Sequence, residues 1–407
     1  MKKSTVVLIV AAVALLIAAA WAARSVRIRP RLPAVPEQIV LRAEIPGIPG
    51  VRYWVGNDIE PFVRDVLAAR ERAAQASASP DVEGEPAPLA LLAISGGGDK
   101  GAFGAGLLCG WTESGRRPSF KAVTGVSTGA LIAPFAFAGP EFDHVLRTVY
   151  TSLGPSDVAR KRSVLAAIID DGMADNRPLW DVIARYVDDR LMQRIADEHA
   201  RGRILLVGTT NLDARQPIIW NLGKVASSGA PGALDLIRNI LLASAAIPGA
   251  FPPTMFRVEI DGTPYEEMHV DGGASAQVFL YPPRLRAVAA SLGEEISRSA
   301  IVYIIRNSLL RPAYTPVERR TISIAGPAIA SLIHTQGIGD LYRIYATTQR
   351  DGLDFNLAYI DDDFSFEHKT DFDTAYMQAL FDYGFRQGRD GYPWKKTPPL
   401  FDAATSP

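Results

Sequence analysis

Cysteine is nearly absent. Cys109 stands alone in 407 residues, so no intrachain disulfide can form and the thiols say nothing about redox compartment. Histidine is scarce too. His144, His199, His269, His334 and His368 are scattered, and no Cys–His cluster has the spacing of a zinc site, so neither metal nor other cofactor is expected. Charge of one sign is lacking: 43 basic and 44 acidic residues give a formal net charge of −1. No long basic run occurs beyond the N-terminal region, which makes nucleic acid a poor partner. No internal repeat is found. What the chain does hold is apolar residues, 48% of the total, enough for a large core in one big domain or two smaller ones.

The N-terminus reads as a targeting or anchoring segment. Lys2 and Lys3 precede an uncharged run from Val6 to Ala23. About 18 helical residues span about 27 Å, close to the hydrocarbon thickness of a bilayer. Ala20-Trp21-Ala22 offers a cleavage site for a signal peptide, and Arg24, Arg27, Arg29 and Arg31 follow at once. Residues 1–25 are therefore expected to be an anchor or a cleaved signal. The uncleaved anchor is preferred, with the body on the extracytoplasmic side. Residues 26–88 are expected to be a spacer and helical extension. Prolines 30, 33, 36, 46 and 49 mark the spacer, a helix covers 58–76, and a linker runs from Ala78 to Pro88.

The catalytic body is expected at 89–310, with 311–407 as an extension packed on it. Leu89–Ile94 is a short continuous apolar run ending in glycines, as in a strand buried on both faces. A helix over 102–111 follows, then a strand at 120–123 and a helix over 130–138. A long helical stretch at 179–199 enters a strand at 203–209, and a further strand lies at 300–306. Strands alternating with helices predict an α/β architecture. After Pro312 the chain reads as helical or irregular.

Three short motifs carry the chemistry. Gly125-Val126-Ser127-Thr128-Gly129 places a serine on a predicted strand-to-helix turn between small neighbours. Gly96-Gly97-Gly98, also between strand and helix, can aim successive backbone amides at a phosphate or an oxyanion. Lys100, in the first helical turn, opposes the helix dipole and suggests a nearby negative group. The loop lacks the Gly-Lys-[Ser/Thr] of a Walker A motif. Gly96, Gly98 and Gly101 do fit a dinucleotide fingerprint in spacing, but the acidic residue that should close the second strand is missing. Asp271, followed by Gly272 and Gly273, sits at a strand end where a carboxylate could take a serine proton, or simply make an Asp-Gly turn. His269, two residues earlier, reads as a packed strand residue, and Cys109 as core.

In this order and context the motifs resemble those of the patatin-like phospholipases: Gly96-Gly97-Gly98-Asp99-Lys100-Gly101, then Gly125–Gly129, then Asp271-Gly272-Gly273. The segment from Ala243 to Pro253 and Thr209-Thr210-Asn211-Leu212-Asp213 are similar to family segments as well. The likeness covers about residues 89–310, and Ser95 stands where the family often has an acidic residue. The resemblance implies a three-layer α/β/α fold with a mostly parallel central sheet. It also implies a Ser127–Asp271 dyad and an oxyanion loop drawn from Gly96, Gly97, Gly98 and Lys100. Gly101, Gly125, Gly129, Gly272 and Gly273 would support these motifs. The implied activity is cleavage of carboxylic esters in membrane phospholipid or another acyl-ester lipid, at a membrane surface. Two alternatives stay open: a Ser–His–Asp esterase using His334 or His368, and a catalytically silent lipid-binding protein of the same fold.

Overall fold

A computed structural model describes residues 30–76, 89–162, 171–296, 299–311, 314, 316–399 and 401. The apolar run Val6–Ala23 and the linker Ala78–Pro88 lie outside the described residues. Among those described, no helix is long and apolar enough to cross a membrane.

The strands are β1 (Arg52–Tyr53), β2 (Leu89–Ile94), β3 (Phe120–Val126), β4 (Arg160–Lys161), β5 (Ala174–Asp175), β6 (Ile204–Asn211), β7 (Gln216–Asn221), β8 (Thr254–Ile260), β9 (Thr263–Asp271), β10 (Ala300–Leu309) and β11 (Asp354–Ile360). All but β4 and β5 form one sheet. Its centre is parallel, in the order β11-β10-β2-β3-β6, and β7 and β9 both pair antiparallel with β6. Five helices matter for the site: α1 (Glu60–Ala76), α2 (Gly101–Glu113), α3 (Thr128–Ala138), α4 (Thr321–Asp351) and α5 (Thr374–Asp390).

The apolar run in β2 is buried from both sides, as its lack of alternation requires. Leu92 and Ile94 join the core under α2, α3 and α5, whereas Ala93 packs with Leu341 and Ile344 of α4. The fold is thus a mixed α/β structure with helices on both faces of a mostly parallel sheet. The predicted helix at 179–199 is two helices, Arg177–Tyr186 and Asp189–Ala200, because the Asp188 side chain caps the second by accepting from the Leu191 amide.

Two regions are more integrated than their composition suggests. The proline-rich stretch, expected as a spacer, is docked from residue 30 onward. Arg31 pairs with Asp213, Glu44 bridges to Glu259 of β8, and Ile45 and Ile48 are buried. The C-terminal segment, expected to lack strands, contributes β11 to the parallel sheet and α5 to its face. Helix α5 meets α2 along a glycine seam. A Cβ on Gly106 would lie 2.1 Å from the Phe381 carbonyl oxygen, and one on Gly388 2.2 Å from that of Leu107. The backbones approach this closely only because side chains are missing there.

Candidate active site

The carboxyl ends of the parallel strands gather the motif residues. Strand β3 ends at Val126, and Ser127 turns the chain into α3 with φ 55° and ψ −126°. A non-glycine residue with positive φ is strained, by about 1–3 kcal/mol. Packing holds it there. The Ser127 amide donates to Ser244 Oγ at 3.0 Å, and Ser244 Oγ donates to the Gly208 carbonyl of β6 at 2.7 Å. The flanking glycines are required by space: a Cβ on Gly129 would sit 2.2 Å from the Ile94 carbonyl oxygen, and one on Gly125 2.4 Å from that of Gly129.

Strand β9 brings Asp271 alongside. Thr209 of β6 pairs with Asp271 in the antiparallel ladder, so the carboxylate arrives from a hairpin and not from the parallel ladder. Asp271 is buried, and the Ser127 side chain lies close enough to favour its charged form. Its Oδ1 accepts from the Gly273 amide at 2.7 Å. Burial pushes the Asp271 carboxyl up to about 6, while the nearby Ser127 side chain and the Gly273 amide pull the other way. Gly272 lets β9 close on β6, since a Cβ there would lie 2.4 Å from the Gly208 carbonyl oxygen.

The glycine loop follows β2. The Gly96 amide is committed to the Gln277 carbonyl at 3.0 Å, which removes it from the expected set of oxyanion donors. The amides of Gly97 and Gly98 meet no acceptor among the described residues. Gly98 takes a left-handed φ of 61° and faces the same cavity as Ser127. The loop is held by Asn307 of β10. Its amide donates to Ser95 Oγ at 2.9 Å, its side-chain nitrogen to the Ser95 carbonyl at 2.9 Å, and its Oδ1 accepts from the Gly104 amide at 3.0 Å. Gly101 opens α2 against Thr128, whose Oγ1 would be 2.2 Å from an added Cβ. The negative group near Lys100 is its neighbour Asp99, with Nζ 4.0 Å from Oδ1.

A cavity open to solvent, with about 930 Å³ of space counting its mouth, has Ser127 and Gly98 among its lining residues. Its walls are almost wholly apolar, with Leu131, Phe135, Leu153, Ile183, Leu241 and Phe372 among them. A long hydrocarbon chain fits that chemistry, since little in the wall can hydrogen-bond.

No histidine hydrogen-bonds with Ser127 or Asp271. His334 contacts the Leu310 carbonyl at 3.1 Å, and His368 contacts Asp99 Oδ2 at 2.6 Å. His269 is packed, as its sequence setting suggests. Its Nδ1 meets Thr209 Oγ1 at 2.9 Å and its Nε2 meets Glu267 at 3.1 Å. Burial holds its pKa below the usual range despite Glu267. Glu267 itself pairs with buried Arg52; burial raises its pKa, but Arg52 and His269 outweigh that and bring it down to about 2. Cys109 is buried in α2, and burial pushes its thiol up to about 12. Donor atoms of Asp99, His368 and Asp371 lie within 4.8 Å of one another, close enough to hold a cation, though Asp99 is already bonded to His368.

Ser244, Asn307 and Gln277 escape a motif search. Ser244 lies inside the Ala243–Pro253 segment, but nothing local marks which of its residues reaches Ser127.

Residues 92–282 match the family model described as patatin-like phospholipase. This segment is a patatin-like phospholipase domain. No curated protein matches the chain in sequence. Two solved structures are similar at low identity. The crystal structure of VipD from Legionella pneumophila shares 11% identity, over 75% of this chain and 67% of that one, with a TM-score of 0.37. Human GIVD cytosolic phospholipase A2 shares 12%, over 66% and 48%, with a TM-score of 0.30. This chain thus spans about half of the human enzyme. The patatin-like domain supports lipid acyl hydrolysis as the general activity. Its boundary at residue 282 leaves Asn307, α4 and α5 outside it, although all three pack against the site.

Proposed function

We propose that the protein is a serine lipid acyl hydrolase that cleaves carboxylic esters of membrane phospholipid, with Ser127 as nucleophile and Asp271 as base. The placement of Ser127 beside the buried Asp271 carboxyl, at the mouth of an apolar cavity, carries the reading.

The steps follow from the positions. Asp271 takes the proton from Ser127 Oγ as that oxygen attacks the ester carbonyl carbon. The carbonyl oxygen becomes an oxyanion and accepts from the Gly97 and Gly98 amides. Collapse of the tetrahedral intermediate breaks the ester bond, and the proton on Asp271 passes to the departing alcohol oxygen. The acyl chain stays on Ser127 with its tail in the cavity. Water, deprotonated by Asp271, then attacks the acyl carbonyl, and Ser127 leaves reprotonated with free fatty acid as the second product. A carboxyl pKa near 6 suits this task, because Asp271 is ionised at neutral pH yet basic enough to accept a proton.

The reading extends to location: residues 6–23 hold the protein to a membrane, with the body extracytoplasmic. Full-length protein then stays with membranes through high-salt washing. The test of function is an assay of purified protein on phospholipids, lysophospholipids and short p-nitrophenyl esters, with Ser127→Ala and the five single histidine variants beside it. Loss of activity in Ser127→Ala with activity kept in all five histidine variants is the expected result. Loss in His334→Ala or His368→Ala equal to that in Ser127→Ala would point to the histidine-dependent esterase instead.

A further inference from the structure

Helix α4 divides into two parts of opposite character. Its C-terminal part is embedded. Leu341 and Ile344 are buried with Phe355 and Leu357 of β11, Asp340 accepts from the Gln277 amide at 2.7 Å, and the Gln336 side chain donates to the Ser275 carbonyl. Those bonds seat the helix on the loop that directly follows Asp271.

The N-terminal part stands in solvent. From Gly326 to Leu332 every residue is exposed, including Ile329 and Leu332, the latter at 71%. One turn earlier, Ile324 is exposed as well. No Asp, Glu, Lys or Arg occurs between Thr321 and Gly339. An exposed helix ordinarily carries charge on its solvent face, and this one carries none there while presenting Ile324, Ile329 and Leu332 to solvent. From Ile324 to Leu332 the helix runs about 14 Å, too short for a bilayer of about 30 Å but close to the depth of one leaflet.

Its approach is informative. The helix begins after β10, whose carboxyl end lies on the same sheet edge that carries Gly96–Gly98 and Ser127. Between β10 and α4, Arg311, Arg319 and Arg320 are exposed, with Glu318 the one acid of residues 310–320, and Tyr314 is 93% exposed. Basic and aromatic residues beside an apolar element match the headgroup layer of an anionic membrane.

We infer that the helix docks into one leaflet of a lipid bilayer through Ile324, Ile329 and Leu332, with Arg311, Arg319 and Arg320 on its anionic headgroups. Docking brings the sheet edge that carries Ser127 to the membrane surface. This deepens the proposed lipid acyl hydrolase and rests on it for the substrate, but the docking itself is measured without turnover.

The probe is full-length Leu332→Cys labelled with a polarity-sensitive fluorophore. Buried Cys109 does not compete for the label. Glu113→Cys, exposed at the opposite edge of the sheet, is the reference. Vesicles of phosphatidylcholine with phosphatidylglycerol should shift the Leu332 probe to the blue. Brominated acyl chains should quench it at least twofold more than the Glu113 probe. Equal quenching at both positions, or a blue-shifted Leu332 probe before lipid is added, overturns the inference; the latter means that a second copy or residues 6–23 cover the helix. In a second arm, Ile329→Glu with Leu332→Glu should lower kcat/KM on vesicle phospholipid at least tenfold and leave hydrolysis of a dissolved p-nitrophenyl ester unchanged. Unchanged rates on vesicles overturn it too. Protein that hydrolyses neither substrate refutes the enzymatic reading, and the quenching still decides the docking.

Discussion

His368 Nε2 lies 2.6 Å from Asp99 Oδ2, which ties the C-terminal segment to the glycine loop. The same Asp99 oxygen accepts from the Phe372 amide at 2.9 Å. Phe372 has a φ of 60° and its side chain forms part of the cavity wall. A carboxylate beside the oxyanion loop therefore fixes a residue of the acyl pocket from outside the patatin-like domain. Asp99→Ala should release Phe372 and destabilise the protein by about 1–3 kcal/mol, the range for leaving buried donors unpaired. The preference for long over short acyl esters should weaken with it. Denaturant unfolding and a chain-length series of esters measure both, and an unchanged preference would show that this bond does not shape the pocket.

The pH dependence of activity should follow Asp271. With a carboxyl near 6, kcat/KM should rise about tenfold per pH unit below pH 6 and level off above about pH 7. The same group acts on stability with the opposite sign. Its folded pKa is raised above the ordinary value of 3.8, so protonation favours the folded state. That contribution is full below about pH 4 and is lost as pH rises through 6, a difference of about 3 kcal/mol. Asp271→Asn should thus abolish most activity and yet be more stable than the parent at pH 8. Thermal melts at pH 4 and pH 8 check the sign.

Ser244→Ala should lower kcat while leaving KM little changed. It strips the Ser127 amide of its acceptor and the Gly208 carbonyl of its donor, which costs about 1–3 kcal/mol in stability. The nucleophile then loses its fixed orientation, and a tenfold or greater fall in kcat is expected. Normal turnover in a folded Ser244→Ala protein would remove that role.

Gly97→Ala should damage turnover more than binding. The new methyl would lie 2.0 Å from the Asn307 carbonyl oxygen, so the loop must shift and carry its amides away. Loss of one oxyanion donor costs about a hundred- to a thousandfold in kcat. Steady-state kinetics on a soluble ester provide the check.

Much of the site was legible because its demands are local. A serine on a strand-to-helix turn needs Gly125 and Gly129 beside it, and close approach of β9 to β6 needs Gly272. Such requirements leave short motifs. The strands β2, β3, β6 and β10 were legible from apolar runs for the same reason. What stayed hidden depends on distant pairing. Asn307 and Ser244 act through bonds to residues far away in sequence, so no spacing announces them. Gly96 looked equivalent to its neighbours until Gln277 was seen to occupy its amide. Strand β11 has a usable apolar pattern, but it sits between two long helices, and only β10 gives it a partner. The proline-rich stretch near Ile45 reads as a spacer because proline content says nothing about what surface lies beneath it.

The position of Asn307 has a bearing on how such a hydrolase is made. Asn307, which orders the glycine loop, is translated about 180 residues after Ser127. At about 5–20 residues per second the ribosome needs about 10–35 s to cover that distance. Through that interval the nascent chain carries Ser127 without an anchored glycine loop, and for most of it without Asp271. On the mechanism proposed above, competence to cut esters therefore arrives only as β10 closes against β2.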